Sequence, residues 1–285
     1  MTSRRLLVRR RGLAGLAASG TALLAAGCGP TGPATAEQVP RDPLASLDEA
    51  RWDGRSLEDV LALPLAGDAA ELETWADLGA EDAAVDPARR ALTDFLAVAY
   101  LSPEALHGLD DAEARARIEA AAPAYWQDVL AEAWDGGARH LYAFALAEGF
   151  ATVGRPALAM AWFRGQRDDT PLLLLGGTLA WSVLDTRTHA VGVIAYRLGV
   201  VADLAADGTA STATIRVTIH GLDGCAIQDR GGMVVPALGE EAEQRTAQQA
   251  TMDTVIASPR VVREDLLDPD STALAGDDAT NVLCS

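Results

Sequence analysis

The sequence predicts an α+β fold, with N-terminal helices packed on an antiparallel sheet. Before Gly136-Gly137, apolar residues recur on one helix face: Leu92, Phe95, Leu96 and Ala99 stand at i, i+3, i+4 and i+7. After those glycines the period falls to two. Ala213, Ile215, Val217 and Ile219 alternate with Thr212, Thr214, Arg216, Thr218 and His220. Helices first and strands afterwards is the segregated order of an α+β domain, not the alternation of a parallel sheet.

Residues 44–135 read as helical. Ser56 with Asp59 loosely forms a capping box ahead of Val60, Leu61 and Leu63. Asp86 followed by Pro87 is an N-cap with proline in the first turn. Ser102-Pro103-Glu104 restarts a short helical turn, and Asp111 opens a helix through Ala121. Pro123 begins another, with Trp126, Val129, Leu130 and Ala133 on one side, and Gly136-Gly137 stops it. Residues 139–147 fit either a strand, through Tyr142, Phe144 and Leu146, or a helix; 157–164 is a further strand candidate. Residues 172–184 read as a strand in which Gly176-Gly177 marks a bulge or sharp bend, turned by 185–188. Residues 190–204 and 212–220 form a hairpin whose Asp207-Gly208 turn supplies positive φ, and the polar face of its second strand is expected to be wet. A last strand over 226–236, a polar helix over 239–257 and an acidic tail over 268–285 complete the chain.

The first residues have a different logic. Arg4, Arg5, Arg9, Arg10 and Arg11 precede an uncharged apolar run over 12–26, and Ala25-Ala26-Gly27 leads into Cys28. A cationic start, an apolar core and a small-residue exit describe an export signal. The run is shorter than the ~20 residues that span a bilayer comfortably. Leu24-Ala25-Ala26-Gly27-Cys28 resembles the lipobox of bacterial lipoprotein precursors, although Leu24 stands one place earlier than is usual. The resemblance implies cleavage before Cys28, acyl chains such as palmitate on that residue, and residence on the outer face of the cytoplasmic membrane. Two or more acyl chains anchor durably where one does not. Ser3-Arg4-Arg5-Leu6-Leu7 also resembles a twin-arginine export motif, which leaves the general secretory and twin-arginine routes both open.

Every one of the 23 basic residues is Arg, and a chain rich in Ala, Gly and Asp without Lys points to a GC-rich genome of the actinobacterial kind. Removing residues 1–27 takes away five Arg and no acid, leaving 18 Arg against 41 acids, a net charge of −23. Such a body is repelled by nucleic acid and by anionic headgroups, so no nucleic-acid partner is expected. Contact with the membrane then runs through the lipid and the Pro/Gly/Ala-rich linker of 29–43, whose reach is about 20 Å. Lipidation of Cys28 leaves Cys225 and Cys284 as an even pair, expected to form a disulfide outside the cytoplasm. The chain thus divides into an export signal (1–27), lipidated Cys and linker (28–43), an N-terminal helical region (44–85), an α+β domain (86–236), and a C-terminal helix with acidic tail (237–285).

Motifs of chemistry are sparse. His107, His140, His189 and His220 form no H-x-x-x-H or H-E-x-x-H pair, so no metal or other cofactor is expected. His189 near Asp185 and His220 near Asp223 are possible acid–base pairs. Neither Ser182 nor Ser211 sits in a G-x-S-x-G elbow, and without Lys there is no Walker-type phosphate loop. Asp268-Pro269-Asp270 opens like a calcium loop, but Ala273 and Ala279 stand where Gly and Glu are needed. The succession of elements over 87–236 resembles the NTF2-like cone, in which helices pack into the concavity of a curved antiparallel β-sheet. That resemblance implies that Trp126, Tyr142, Trp162, Trp181 and Tyr196 line the cone, with Tyr142, Tyr196 and His220 as its polar groups. Three functions are compatible with this. One is a non-enzymatic interaction or scaffolding module with an envelope protein partner. The others are a carrier of a small apolar ligand and a lyase or isomerase using Tyr and His. Large aromatics favour a filled core over a hollow one.

Overall fold

The structure is a computed structural model that describes residues 84–284, apart from 104, 105, 108, 240, 258–260 and 276–279. The export signal, Cys28, the linker and the helix read at Ser56 lie outside these residues.

Helix α1 (Asp86–Leu96) carries Pro87 in its first turn, as its sequence asks, but Val85 occupies the cap position. Asp86 is helical instead, and its carboxylate accepts from Arg89 at 2.8 Å. The helix widens into a π turn, Ala97–Leu101. Carbonyls at such an end lack intrahelical partners. Ala99 O accepts from Phe144 N at 2.7 Å, and Tyr100 O accepts from Trp181 Nε1 at 2.9 Å. Helix α2 (Asp111–Ala121) is capped by Asp110, whose carboxylate accepts from Glu113 N at 2.8 Å. A 3-10 turn (Ala124–Trp126) leads into α3 (Gln127–Asp135), which ends where Gly137 takes a φ of 71°.

Four antiparallel strands follow in a meander of order β1-β2-β3-β4: β1 (Phe150–Arg167), β2 (Thr170–Asp185), β3 (Val191–Leu204) and β4 (Ala210–His220). Helices on a curved antiparallel sheet make this an α+β fold. Residues 139–147 are not a strand. They open with a 3-10 turn (Arg139–Leu141) and cross beneath the helices as a loop, bonding to Ala99 and Val234 backbone groups. Their apolar alternation reflects burial of Phe144 rather than ladder pairing. Nor do Gly176-Gly177 form a bulge: the ladder runs through them, with Gly176 opposite Ala161 and Gly199, and Gly177 opposite Met160 and Leu198. The register shift lies in β1 between Val153 and Ala157, around Gly154 at φ 68°. Gly177 is needed for close approach, because a Cβ there would run into the Ala159 carbonyl. At the β3–β4 turn Gly208 adopts φ 80°, as the Asp-Gly pair requires.

Past β4, residues 226–236 do not form a strand. Asp223 caps a short helix, α4 (Gly224–Asp229), its carboxylate accepting from Ala226 N at 3.0 Å. Val234 and Pro236 make only isolated bridges, with Leu146 and Leu222. The chain continues through α5 (Ala242–Ala257), α6 (Arg263–Leu267) and a 3-10 turn (Thr272–Leu274). The described residues of the acidic 268–285 stretch do not trail free, since Leu274, Thr280 and Val282 are buried.

The sheet is covered on both faces. Leu173, Leu175, Leu179, Trp181 and Val183 of β2, with Ile194, Tyr196, Leu198, Val200 and Ala202 of β3, point into the core shared with the helices. The alternate residues meet α5 or the C-terminal segment. That double cover explains why β2 is an almost unbroken apolar run. It also corrects the expected wet face of β4: Thr212 and Thr214 are exposed, Arg216 and Thr218 are half-buried, and His220 is fully buried.

Candidate functional site

The helical face of the sheet carries rings. Phe95 and Tyr100 come from α1 and its π turn, Trp126 from the turn before α3, Phe144 from the crossing loop, and Trp162, Trp181 and Tyr196 from the sheet. Tyr100 meets Tyr196 edge-on at 5.3 Å between centroids, Phe144 stacks on Trp181 at 5.8 Å, and Phe95 meets Trp126 at 5.0 Å. Edge-on and stacked contacts of this kind stabilise a core beyond the area they bury.

The polar ends of four of these rings are turned to backbone. Trp181 Nε1 donates to Tyr100 O at 2.9 Å, Trp126 Nε1 to Ala213 O at 2.8 Å, and the Tyr100 hydroxyl to Leu141 O at 2.7 Å. The Tyr196 hydroxyl donates to His140 O at 3.4 Å. Burial pushes the phenols of Tyr100 and Tyr196 well above the ordinary tyrosine value, with neighbouring tyrosines adding to it at Tyr100. A phenol held that high cannot act as a base near neutrality. Tyr142, half-buried at the end of its 3-10 turn, packs against the same core.

His220 does not join them. It pairs with Ala195 across the β3–β4 ladder while Ile219 pairs with Tyr196, so the pleat sends His220 to the opposite face of the sheet. There it is fully buried, its Nδ1 3.0 Å from Thr280 Oγ1. The sheet therefore separates His220 from Tyr196 and Trp181, and Tyr142, Trp181, Tyr196 and His220 do not form one site.

The other candidates are equally dispersed. His189 is an exposed turn residue at φ 60°, and the Asp185 carboxylate accepts from Arg187 N and Thr188 N at 2.8 and 3.2 Å. His107 is exposed beside a cleft of about 180 Å³ lined by Pro103, Leu146, Ala151 and Thr152, below the size of most small-molecule sites. Ser182 is buried, and the Ser211 hydroxyl donates to Asp203 O at 3.2 Å. Asp268 accepts from Asp270 N at 2.9 Å in a local turn. Among the described residues, no three His, Cys, Asp or Glu converge as a metal site, and no helix is long and apolar enough to cross a membrane.

Several residues with larger roles escaped the sequence reading. Arg139 is buried with its guanidinium 5.2 Å from the Trp134 ring; its Nε donates to Gly231 O at 2.8 Å, and it pairs with Asp111. Burial holds its pKa below the usual arginine value. Gln248 of α5 accepts from Val193 N at 2.9 Å and donates to Val193 O at 3.3 Å, replacing the strand that β4 no longer supplies beyond His220. No sequence motif marks either residue. The cysteines were legible by counting: Cys225 and Cys284 stand at disulfide distance, with Cα atoms 5.0 Å apart.

What the fold and this face define is an α+β domain with a two-sided sheet and an aromatic core. Set against known protein families, curated proteins and solved structures, the chain matches none of them.

Proposed function

We propose that the chain is an exported lipoprotein, held by acylated Cys28 on the outer face of the cytoplasmic membrane, whose α+β body is a non-enzymatic interaction or scaffolding module. The observation that carries the second half is the state of the helical face. Rings fill it, and the polar ends of Tyr100, Trp126, Trp181 and Tyr196 are spent on backbone carbonyls. A carrier needs an apolar hollow, and a lyase or isomerase needs convergent polar groups; His220 on the far side of the sheet supplies no partner to Tyr196. Support for the first half comes from the lipobox-like residues 24–28 and from the approach of Cys225 to Cys284, because disulfides persist outside the reducing cytoplasm.

Two measurements test the proposal. Cys28→Ser protein is expected to leave the membrane fraction for the medium; equal retention of variant and parent overturns the anchor. Native mass spectrometry of the purified Cys28→Ser protein is expected to give the mass of the bare chain, and a co-purifying small apolar molecule would turn the reading to a carrier.

A further inference from the structure

The back of the sheet holds a feature that the aromatic core does not use. Residues 261–275 lie across it over a floor of glycine, and residues 280–284 run beside the end of β4. Gly176 and Gly199 are cross-strand partners. A Cβ on Gly176 would stand 2.8 Å from both Leu266 Cδ2 and Val261 Cγ1, and one on Gly199 would collide with Leu274. A third glycine, Gly165 of β1, leaves room for Leu267. The missing side chains make a trough, and Val261, Leu266 and Leu274 fill it against Leu172 and Leu174. This cluster is separate from the main core, which lies on the other side of the sheet.

Polar contacts hold the segment from one strand. Arg216 of β4 donates to the carbonyls of Asp265, Leu266, Asp268 and Pro269 at 2.9, 3.1, 3.0 and 3.4 Å. The Thr218 hydroxyl donates to Leu274 O. At the far end Asn281 accepts from Leu222 N at 2.8 Å and donates to Ile219 O at 2.9 Å. Beyond it Cys284, exposed, meets half-buried Cys225.

We propose that residues 261–275 and 280–284 form a strap over the glycine trough, that a Cys225–Cys284 disulfide latches it, and that a dithiol reductant releases it. In the release a thiolate of the reductant attacks one sulfur of the bond and expels the other cysteine as a thiolate, and the reductant's second thiol then attacks the mixed disulfide and expels the remaining cysteine. Two electrons and two protons pass to the pair, Cys225 and Cys284 become thiols, and the reductant leaves as a disulfide. Over the trough the strap has its own small apolar cluster and is held by Arg216 and Thr218, while residues 280–284 add Asn281, buried Thr280 and backbone bonds to Gly221, Leu222 and Gly224. While the bond is closed a lifted strap is a loop held at both ends, and once it is open the strap is a chain end whose re-docking costs more conformational entropy. Release uncovers the trough on the sheet while the helical face keeps its packing. The redox state of the surroundings then sets whether that face is open.

Hydrogen exchange read by mass spectrometry on the purified chain tests this, with dithiothreitol as the reductant. The outcome is independent of where the protein resides in the cell and of what its helical face does. The amides of Asp265, Asp268, Ala275 and Val282, all hydrogen-bonded in the strap, are expected to exchange at least about tenfold faster after reduction, while the β2–β3 ladder keeps its protection. Cys284→Ser is expected to match the reduced protein without reductant. Gly199→Val, which crowds out Leu274 and Leu266, is expected to speed strap exchange with the bond closed. Three results overturn the latch: strap protection unchanged by reduction and by Cys284→Ser; ladder and strap losing protection together, as for a staple of the whole domain; or Gly199→Val folding with its strap still protected.

Discussion

Tyr196 touches the Phe144 and Tyr100 rings and reaches backbone only at its hydroxyl, so its two halves have separable energetic roles. Removing the hydroxyl in Tyr196→Phe gives up one long hydrogen bond and is expected to cost under about 1.5 kcal/mol. Tyr196→Ala empties part of the ring cluster and is expected to cost about 3–5 kcal/mol. Urea unfolding of the two variants checks this; a Phe variant as unstable as the Ala variant contradicts a packing role. A second residue carries a pH dependence. Burial lowers the His140 pKa below its ordinary 6.5, partly offset by a hydrogen bond to the Gly232 backbone. The unfolded chain then binds this proton more readily than the folded one. Stability contributed by the neutral ring is present above the unfolded value and lost as pH falls through it. Between about pH 7.5 and about pH 5.5 the parent is expected to lose more stability than His140→Gln, read from urea midpoints. Histidine identity was plain in the sequence, but burial was not, since His140 lies in a stretch whose period fitted two structures.

The elements follow the same division. Strand β4 was legible because its alternation is strict, and that alternation already put His220 on the face away from Ile219. Assigning His220 to the cone with Tyr196 ignored this parity, and the register enforces it. β2 carried no alternation to read, because α5 and the strap bury its second face. The end of β3 shows how one side chain substitutes for a strand: Gln248 satisfies both backbone groups of Val193 and approaches Gly221 O at 3.4 Å. Gln248→Ala leaves the Val193 amide without its acceptor and is expected to destabilise by about 1–3 kcal/mol. Faster exchange at Val193 than at Ala195 in that variant is the local signature; equal protection in variant and parent contradicts it. Glycine positions divide likewise. Gly208 was legible from its Asp-Gly turn, whereas Gly176 was misread as a bulge because only the strap above it explains the lost side chain.

At the scale of the whole molecule, a cysteine pair at disulfide distance brings distant parts together. Cys225 and Cys284 are 59 residues apart, and closing that loop is expected to stabilise the domain by up to about 4 kcal/mol in the chain-entropy model. Thiol labelling of purified, undenatured Cys28→Ser protein is expected to be negative without reductant and to show two thiols with it; full labelling beforehand contradicts the bond.

Local chemistry alone determined the α+β class, the helix stop at Gly136-Gly137 and the β3–β4 hairpin, because helix period and glycine torsions are properties of neighbours. Tertiary structure decided that rings fill the helical face, that His220 lies behind the sheet, and that the acidic C-terminal residues form a cover instead of a tail. Each of those depends on which side chains meet across about 30 or more residues of chain, as Phe144 and Trp181 or His220 and Thr280 do, and no periodicity within one segment encodes that meeting.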